Sequence, residues 1–285
     1  PAAMTIALGL SALAAAASAQ GISPGDIPKD GYRLPGGIEP VLQLRTYYFD
    51  QQSLTGVAST AWTLGGWAGL RTPWIGEALQ LGVVGYTSQR LYGPADEGGT
   101  LLLKTNQDPI NVVGLAWGAL RVAGQTFTAY RQLIDRPFIN PQDNRMVPNT
   151  FEAYTLSGSV ASAFSYTGGY IAKIKNRDAE KFVSMSKDAG GSGDNEGLYF
   201  AGVDWDFMKN GRLRADYQYG LDTYSTFYVD ARAPVQLGER TTLALGAQYF
   251  SQGSVGSAQI GDFSTWGAGI RGVLKHGAFG LQLLF

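Results

Sequence analysis

The feature that most constrains this chain is an alternation of polar and apolar residues, repeated in segments of about ten residues. In LRADYQYG, residues 213–220, apolar or aromatic residues take every second position up to Tyr219, with polar residues between them. Because successive side chains of a β-strand point to opposite faces, this stretch predicts a strand with one polar and one apolar face. Such a strand suits either a soluble sandwich, whose apolar face is the core, or a membrane barrel, whose apolar face meets lipid.

About thirteen segments of this kind follow one another, which predicts an all-β protein built from about thirteen antiparallel strands. Most run for about ten residues, the length that crosses a bilayer as a tilted strand, and none is an apolar run long enough for a spanning helix. They are residues 41–49, 61–70, 78–88, 110–120, 125–132, 150–158, 164–175, 198–207, 213–221, 226–235, 242–250, 264–274 and 279–285.

The connections between these segments alternate between short turns and longer polar stretches. The short turns are residues 208–212, 236–240 and 275–278, and the longer stretches are residues 90–108, 133–149, 176–197 and 251–262. Short turns on one rim and long loops on the other are typical of a transmembrane β-barrel of the outer membrane, with its short turns in the periplasm.

The two faces of the predicted strands favour a barrel over a secreted sandwich. Many strands end in tyrosine or tryptophan, as in the aromatic girdles of barrels, although cross-strand packing in a hairpin would place similar residues there. The opposite face carries charges of both signs, which suits a wet lumen. Its residues include Asp204, Asp206, Arg214, Asp216, Gln218, Asp230, Arg232, Gln248 and Arg271.

The composition excludes several classes of function. The net charge is −1, from 22 basic and 23 acidic residues, so a nucleic-acid partner held by excess basic charge is not expected. Cysteine is absent and His276 is the single histidine. These counts argue against thiolate or histidine metal sites and against a Ser-His-Asp triad, so we predict no metal and no cofactor.

The amino-terminal segment resembles an export signal. Residues 2–17 are apolar and rich in alanine, and the small residues Ala17, Ser18 and Ala19 have the spacing of a secretory cleavage site. We therefore predict a signal peptide at 1–19, a proline- and glycine-containing lead-in at 20–37 and a barrel domain at 38–285. The chain starts at Pro1 without a basic segment, so we expect the extreme amino terminus of the gene product to be missing.

One long loop differs in composition from the others. The stretch LIDRPFINPQDNRMVPN, residues 133–149, combines three prolines with apolar residues such as Ile134, Phe138 and Met146. An exposed loop has little reason to carry so many apolar side chains beside prolines of fixed φ. The composition predicts a loop that folds into the barrel, packs its apolar residues on the wall and leaves its charges in the lumen.

The segment that follows this loop resembles the OprD family of outer-membrane porins. The resemblance is carried by DNRMVPNTF, which matches a D-x-R-x-x-P-x-T-F pattern, and by LRTYYF at residues 44–49. The matching residues of the first motif are Asp143, Arg145, Pro148, Thr150 and Phe151.

This resemblance implies an eighteen-stranded monomeric barrel in the outer membrane of a Gram-negative bacterium, with the loop 133–149 narrowing the pore. It also implies contact with outer-membrane lipid and passive uptake of small solutes, such as amino acids and other carboxylates, past a row of arginines and lysines. Bacterial barrels of one chain close with an even number of strands, so we expect the carboxy-terminal strands to be missing here. The residues alone leave monomer and trimer both open.

A pore selects solutes by its diameter and by the charges at its narrowest point. We expect a basic wall of Arg131, Lys173 and Lys175, joined by Arg145 and faced by Asp135 and Asp143. The candidate constriction residues are thus Arg131, Asp135, Arg136, Asp143, Arg145, Lys173 and Lys175.

Each of these charges has a second interpretation, as part of a salt bridge that fixes the loop to the wall, and a pair between Asp143 and Arg145 is the leading example. Other polar-face charges are expected to be general lumen charges. They are Arg45, Arg71, Asp204, Asp216, Asp230, Arg232 and Arg271.

Two other functions fit the predicted barrel. One is an outer-membrane enzyme similar to a lipase or protease, which needs an activated nucleophile, whereas the single imidazole lies in a predicted short turn. The other is a structural barrel that transports nothing. Both stay open at the level of the residues, and the porin is the preferred interpretation.

Overall fold

The computed structural model describes residues 34–54, 56–191 and 196–284. The strands among these residues form a single antiparallel sheet. The predicted signal peptide at 1–19 and most of the lead-in lie outside the described residues. Within the described residues, no helix has the length and apolar character needed to cross a membrane.

The fourteen strands pair in chain order, each with the next, except that the two-residue β8 lies beside β7 and off the main path. The thirteen longer strands correspond one for one to the predicted segments, which confirms the all-β antiparallel fold. A short 3-10 helix at Pro35–Gly37 precedes β1 and one turn of α-helix, α1 at Met185–Asp188, follows β8. The strands are β1 (Glu39–Gln52), β2 (Ala58–Arg71), β3 (Leu79–Tyr92), β4 (Ile110–Val122), β5 (Gln125–Gln132), β6 (Thr150–Ser159), β7 (Phe164–Lys175), β8 (Val183–Ser184), β9 (Leu198–Met208), β10 (Gly211–Gly220), β11 (Tyr224–Gly238), β12 (Thr241–Ser254), β13 (Ser264–His276) and β14 (Phe279–Leu284).

The outer face of the sheet is apolar and exposed, as expected of a wall in contact with lipid. Leu42 and Leu44 of β1 are 77% and 78% exposed, whereas Val41 on the other face is buried. In β10, Tyr217 is exposed while its neighbours Asp216 and Gln218 are buried on the inner face. The alternation seen in the sequence therefore separates an exposed apolar outer side from a polar inner side.

A row of four tyrosines crosses the outer face near the rim of the long loops. Tyr154, Tyr170, Tyr199 and Tyr219 stand opposite one another on β6, β7, β9 and β10. The rings of Tyr170 and Tyr199 have centroids 4.9 Å apart, so the row is also packed across strands. Aromatic rings in this position mark the level of the lipid head groups.

The two rims differ as predicted. Tight turns at 123–124, 209–210, 239–240 and 277–278 close one end, and the loops 93–109, 133–149 and 176–197 lie at the other. Ala123 and Gly124 both have positive φ, 49° and 78°. A two-residue hairpin of this kind matches the twist of its flanking strands.

The inner face of β2 to β4 holds an apolar core that the sequence did not predict. Three aromatic side chains, Trp67, Tyr86 and Trp117, are buried on this face. Glycines on neighbouring strands make room for them, because a Cβ atom at Gly82 or at Gly114 would stand 2.2 Å from a ring atom of Trp117 or Tyr86. Because glycine has no Cβ atom, the flat rings can lie directly against the backbone at these positions.

Two loops cover this aromatic surface from inside. Four loop residues are buried in the same cluster, and they are Leu102 and Leu103 of the loop 93–109 and Met146 and Val147 of the loop 133–149. The side chain of Gln107, 1% exposed, donates to the carbonyls of Thr60 and Glu97 and holds the first of these loops in place. We expected the stretch 90–108 to be a polar rim loop, and the structure folds it inward because its leucines bury apolar surface there.

The lipid-facing assignment can be tested with neighbouring residues of β12. Ala247 lies on the outer face, and Gln248 lies on the inner face opposite Asp230. We expect Ala247→Arg to lower the free energy of unfolding by about 2–4 kcal/mol, because it places a charge in lipid, and Gln248→Arg to have little effect. Reversible guanidinium unfolding in lipid vesicles measures both, and equal losses would contradict the orientation of the sheet.

Candidate functional site

The loop 133–149, called the constriction loop from here on, crosses the inner face of the sheet. At one side the ring of Phe138 packs edge-on against Tyr228 of β11 and Phe250 of β12, with centroids 5.9 and 5.5 Å apart. At the other side Asp143 contacts Arg45 of β1. The inward fold predicted from the loop's composition is therefore confirmed.

The first anchor of the constriction loop is a two-point ion pair with β1. The Arg45 Nη1 and Nη2 groups donate to the two carboxylate oxygens of Asp143 at 2.5 and 2.7 Å, and Nη1 also donates to the carbonyl of Arg145 at 2.9 Å. The Arg45 guanidinium lies over the Trp67 ring, 4.1 Å from its centroid. The contact joins the two sequence motifs that carry the family resemblance, LRTYYF and DNRMVPNTF.

The predicted pair between Asp143 and Arg145 does not form, because Arg45 occupies the Asp143 carboxylate. The side chain of Arg145 instead donates to the carbonyl of Thr100 at 2.9 Å and lies over the ring of Phe49, 4.9 Å from its centroid. Arg145 thus ties the constriction loop to the neighbouring loop 93–109.

The second anchor is Arg136, which is 8% exposed. Its Nε and Nη2 groups donate to Asp216 at 2.7 and 2.9 Å, and Nη1 donates to Asp204, which also accepts from Arg214 at 2.7 Å. Burial alone would lower the pKa of Arg136, but the hydrogen bonds that its guanidinium donates to Asp216 and Asp204 hold that pKa above its usual value. Arg136, a predicted constriction residue, is thus ion-paired with two carboxylates of the wall.

One further hydrogen bond and apolar packing supplement the second anchor. Gln218 of β10 donates to the carbonyl of Pro137 at 2.5 Å. Two isoleucines of the loop are buried in a cluster formed with the inner faces of β6, β7 and β9. The members of this cluster include Ile134, Ile139, Phe151, Ile171, Leu198 and Phe200.

Two of the residues predicted for the basic wall lie on the outer face instead. Arg131 and Lys173 both contact Glu152, with N to O distances of 3.1 and 3.3 Å. Glu152 lies between Phe151 and Ala153, which are buried in the inner cluster, and thus points to the opposite side. The prediction that Arg131 and Lys173 line the lumen is therefore wrong. In β7 the cause is a bulge between Ile171 and Lys173, which places these two side chains on opposite faces of the sheet.

Lys175 and Asp135 do not form the predicted basic wall and its acidic counterpart either. Lys175, the last residue of β7, is fully buried, and its ammonium group donates to the carbonyls of Pro148 and Asn176 at 3.0 Å each. Asp135 is exposed on the constriction loop. The structure brings Asp143 and Arg145 together through Arg45, and it does not bring Asp143 or Asp135 opposite a row of lysines.

A row of arginines lies on the inner face, and the spacing of these residues in the sequence does not predict it. Arg212, Arg232, Gly246 and Arg271 stand opposite one another on β10 to β13. Arg212 pairs with Asp206 at 2.7 Å, and Arg271 donates to Gln282 at 3.2 Å. Strand register, which sequence spacing does not provide, is the information that aligns them.

The two arginines that stand on either side of Gly246, Arg232 and Arg271, are exposed. Within the described residues, Arg232 and Arg271 form no ion pair with a carboxylate. Together with Asp230 and Gln248 they line a cavity of about 380 Å³. With two arginines and one aspartate, the lining of this cavity carries a net positive charge.

A second cavity, of about 340 Å³, lies between the constriction loop and the loop 176–197. Its polar lining includes Asn149, Asn176, Arg177 and Asp178. Burial, together with the neighbouring Arg145, lowers the pKa of Arg177. The cavity thus gives the inward loops a polar surface on the long-loop side.

A family model described as outer membrane porin, OprD family, matches residues 37–282. Similar crystal structures include a BenF-like porin from Pseudomonas fluorescens, with a TM-score of 0.72 and 22% identity over 87% of this chain and 67% of that chain. Acinetobacter baumannii OccAB3 gives 0.73 and 17%, over 85% and 67%, and Pseudomonas aeruginosa OpdK with vanillate gives 0.68 and 18%, over 85% and 65%. The chain thus spans about two thirds of the length of these porins, and a search of curated protein sequences found no match.

The second anchor predicts a large difference between two Asp→Asn substitutions. Asp216→Asn leaves the buried Arg136 with one carboxylate fewer, and we expect a loss of about 3 kcal/mol in the free energy of unfolding. Asp206→Asn breaks the exposed pair with Arg212 and should cost much less. Denaturant titration measures both, and a loss for Asp216→Asn no larger than that for Asp206→Asn would contradict the anchor.

Proposed function

The chain belongs to the OprD family of outer-membrane porins, and from this membership and the lumen geometry we propose that it provides passive, charge-selective diffusion of small solutes into the periplasm. Porins of this family lie in the outer membrane of Gram-negative bacteria and act as channels. Channels are not enzymes, so the membership supports the pore over a barrel enzyme or a structural barrel.

The observation that carries the proposal is the constriction loop, which is held on both sides of the inner face. The contact of Arg45 with Asp143 and the contact of Arg136 with Asp204 and Asp216 fix it at widely separated strands. A segment fixed in this way narrows the interior. Selection by size follows from the remaining diameter.

The charge selectivity depends on which arginines of the interior are paired with carboxylates and which are not. Arg45 and Arg136 are paired with carboxylates of the loop and wall. The exposed Arg232 and Arg271 keep their positive charge toward the lumen. Because a narrow interior screens charge less than bulk water, these arginines attract anionic groups.

The solutes we propose are small carboxylates and amino acids. A carboxylate is recognised well by arginine, whose planar guanidinium presents paired donors. One of the similar structures, OpdK, was determined with vanillate, which carries a carboxylate and supports this class. Diffusion of such solutes needs a concentration gradient and no coupled reaction.

Neutral substitution of the exposed arginines tests the charge selectivity. In planar bilayers, we expect the double variant Arg232→Gln and Arg271→Gln to lower the anion-to-cation permeability ratio by about threefold, because the lumen loses two exposed positive charges. The matched control is Arg240→Gln, which removes a positive charge from the turn between β11 and β12. Reversal potentials in a salt gradient provide the measurement.

Three results of this experiment are distinguishable. A shift in the double variant with no shift in the control supports charge-selective diffusion. A channel that conducts with unchanged selectivity refutes the role of Arg232 and Arg271 but leaves a porin. Absence of conductance in the unsubstituted protein refutes the porin proposal itself.

A further inference from the structure

Arg131, Glu152 and Lys173 form a charged row on the outer wall, called the outer row from here on. We propose that the outer row binds the phosphate-bearing head groups of glycolipid in the outer leaflet of the membrane. The proposal depends on the outer-membrane location of the chain and not on the solute that the pore carries.

The outward orientation of the outer row follows from strand pairing. Glu152 stands opposite Arg131 on β5 and opposite Lys173 on β7. It shares its face with Tyr154, which is 53% exposed, whereas the residues before and after it belong to the buried inner cluster. Charges in the middle of a lipid-facing wall are costly, so the depth of the row decides whether this position is tolerable.

The tyrosine row sets that depth. Glu152 precedes Tyr154 by two residues, which corresponds to about 7 Å along a strand. Tyr154 belongs to the row with Tyr170 and Tyr199, which marks the head-group level at the long-loop rim. The outer row therefore lies just beyond the aromatic girdle, where the phosphates of a glycolipid head group are found.

The charges of the outer row leave a net positive surface. One carboxylate, Glu152, is shared by two cations. The Lys173 side chain is 45% exposed, so its ammonium group keeps donors for a further ligand. Lys181 is also exposed, and it immediately precedes Phe182, whose ring lies over Arg131.

A strap, residues 180–184, orders this surface. Phe182 lies on the guanidinium of Arg131, 4.1 Å from carbon Cζ to ring centroid, and Ser184 pairs with Lys173. Glu180 accepts from the backbone of Asn111 at 2.7 Å and from Lys104 at 3.2 Å.

The carboxylate of Glu180, the acidic residue of the strap, therefore already has hydrogen-bond partners. The backbone hydrogen bond from Asn111, with help from Lys104, lowers the pKa of Glu180. Its carboxylate is thus directed to the loop 93–109 and does not neutralise Lys173 or Lys181. The strap holds Arg131 in place and leaves the two lysines as the accessible cations.

The surroundings favour a lipid over a free anion. Below the outer row the wall is apolar and aromatic, with Tyr154 and Leu156 exposed at 53% and 45%. A glycolipid satisfies both parts of this surface, because its phosphates meet the lysines while its acyl chains cover the apolar wall. Free phosphate makes only the first of these contacts.

Native mass spectrometry of the full chain in detergent tests the proposal, with bisphosphorylated lipid A as the probe. We expect the double variant Lys173→Gln and Lys181→Gln to bind this lipid about tenfold more weakly than the unsubstituted protein, since each lysine near the surface contributes to the attraction. The matched control, Lys209→Gln with Lys275→Gln, removes two lysines near the short-turn rim and should bind normally. Retained heat-modifiable mobility in gels shows that each variant is folded.

The outcomes separate the possible ligands. Weaker binding in the first variant alone, together with weaker binding of dephosphorylated lipid to the unsubstituted protein, supports the proposal. Equal binding by both variants overturns it. Displacement of the lipid by millimolar inorganic phosphate overturns it too, because the site would then recognise the free anion.

Discussion

Lipid as the solvent of the outer face is the constraint on which the rest of this structure depends. Hydrocarbon offers no partner for backbone N–H and C=O groups, so every strand must pair with its neighbours. It also accepts few charges, so apolar and aromatic side chains take one face and nearly all charge takes the other. The alternation in LRADYQYG is the direct consequence, since Tyr217 meets lipid while Asp216 and Gln218 turn inward.

The charges forced inward then determine how the interior is filled. Asp204 and Asp216 are buried beside Arg136, and Asp143 is buried beside Arg45. Buried ion pairs contribute little net stability but tolerate few alternative arrangements, because removal of one partner leaves a charge uncompensated. Here they specify one position for the constriction loop. The apolar clusters on both sides of it supply the larger favourable burial free energy.

The sequence predicted the strands, the two rims and the inward loop, because each of these has a local signature in alternation, turn chemistry or composition. It did not predict register or bulges. The bulge between Ile171 and Lys173 reverses the face of the lysine, since a shift of one residue moves a side chain to the other side of a sheet. For Arg131 the missing information was depth, because alternation does not say where a strand leaves the hydrocarbon region. The partner of Asp143, lying 98 residues away in β1, was equally invisible.

The first residues of β6 show how one strand end serves both sides of the wall. Phe151 packs under the constriction loop, and Glu152, the next residue, holds Arg131 and Lys173 on the outer face. These two side chains share one stretch of backbone, because successive residues of a strand point to opposite faces. The same strand end therefore supports the constriction loop from inside and orders the charges of the outer row.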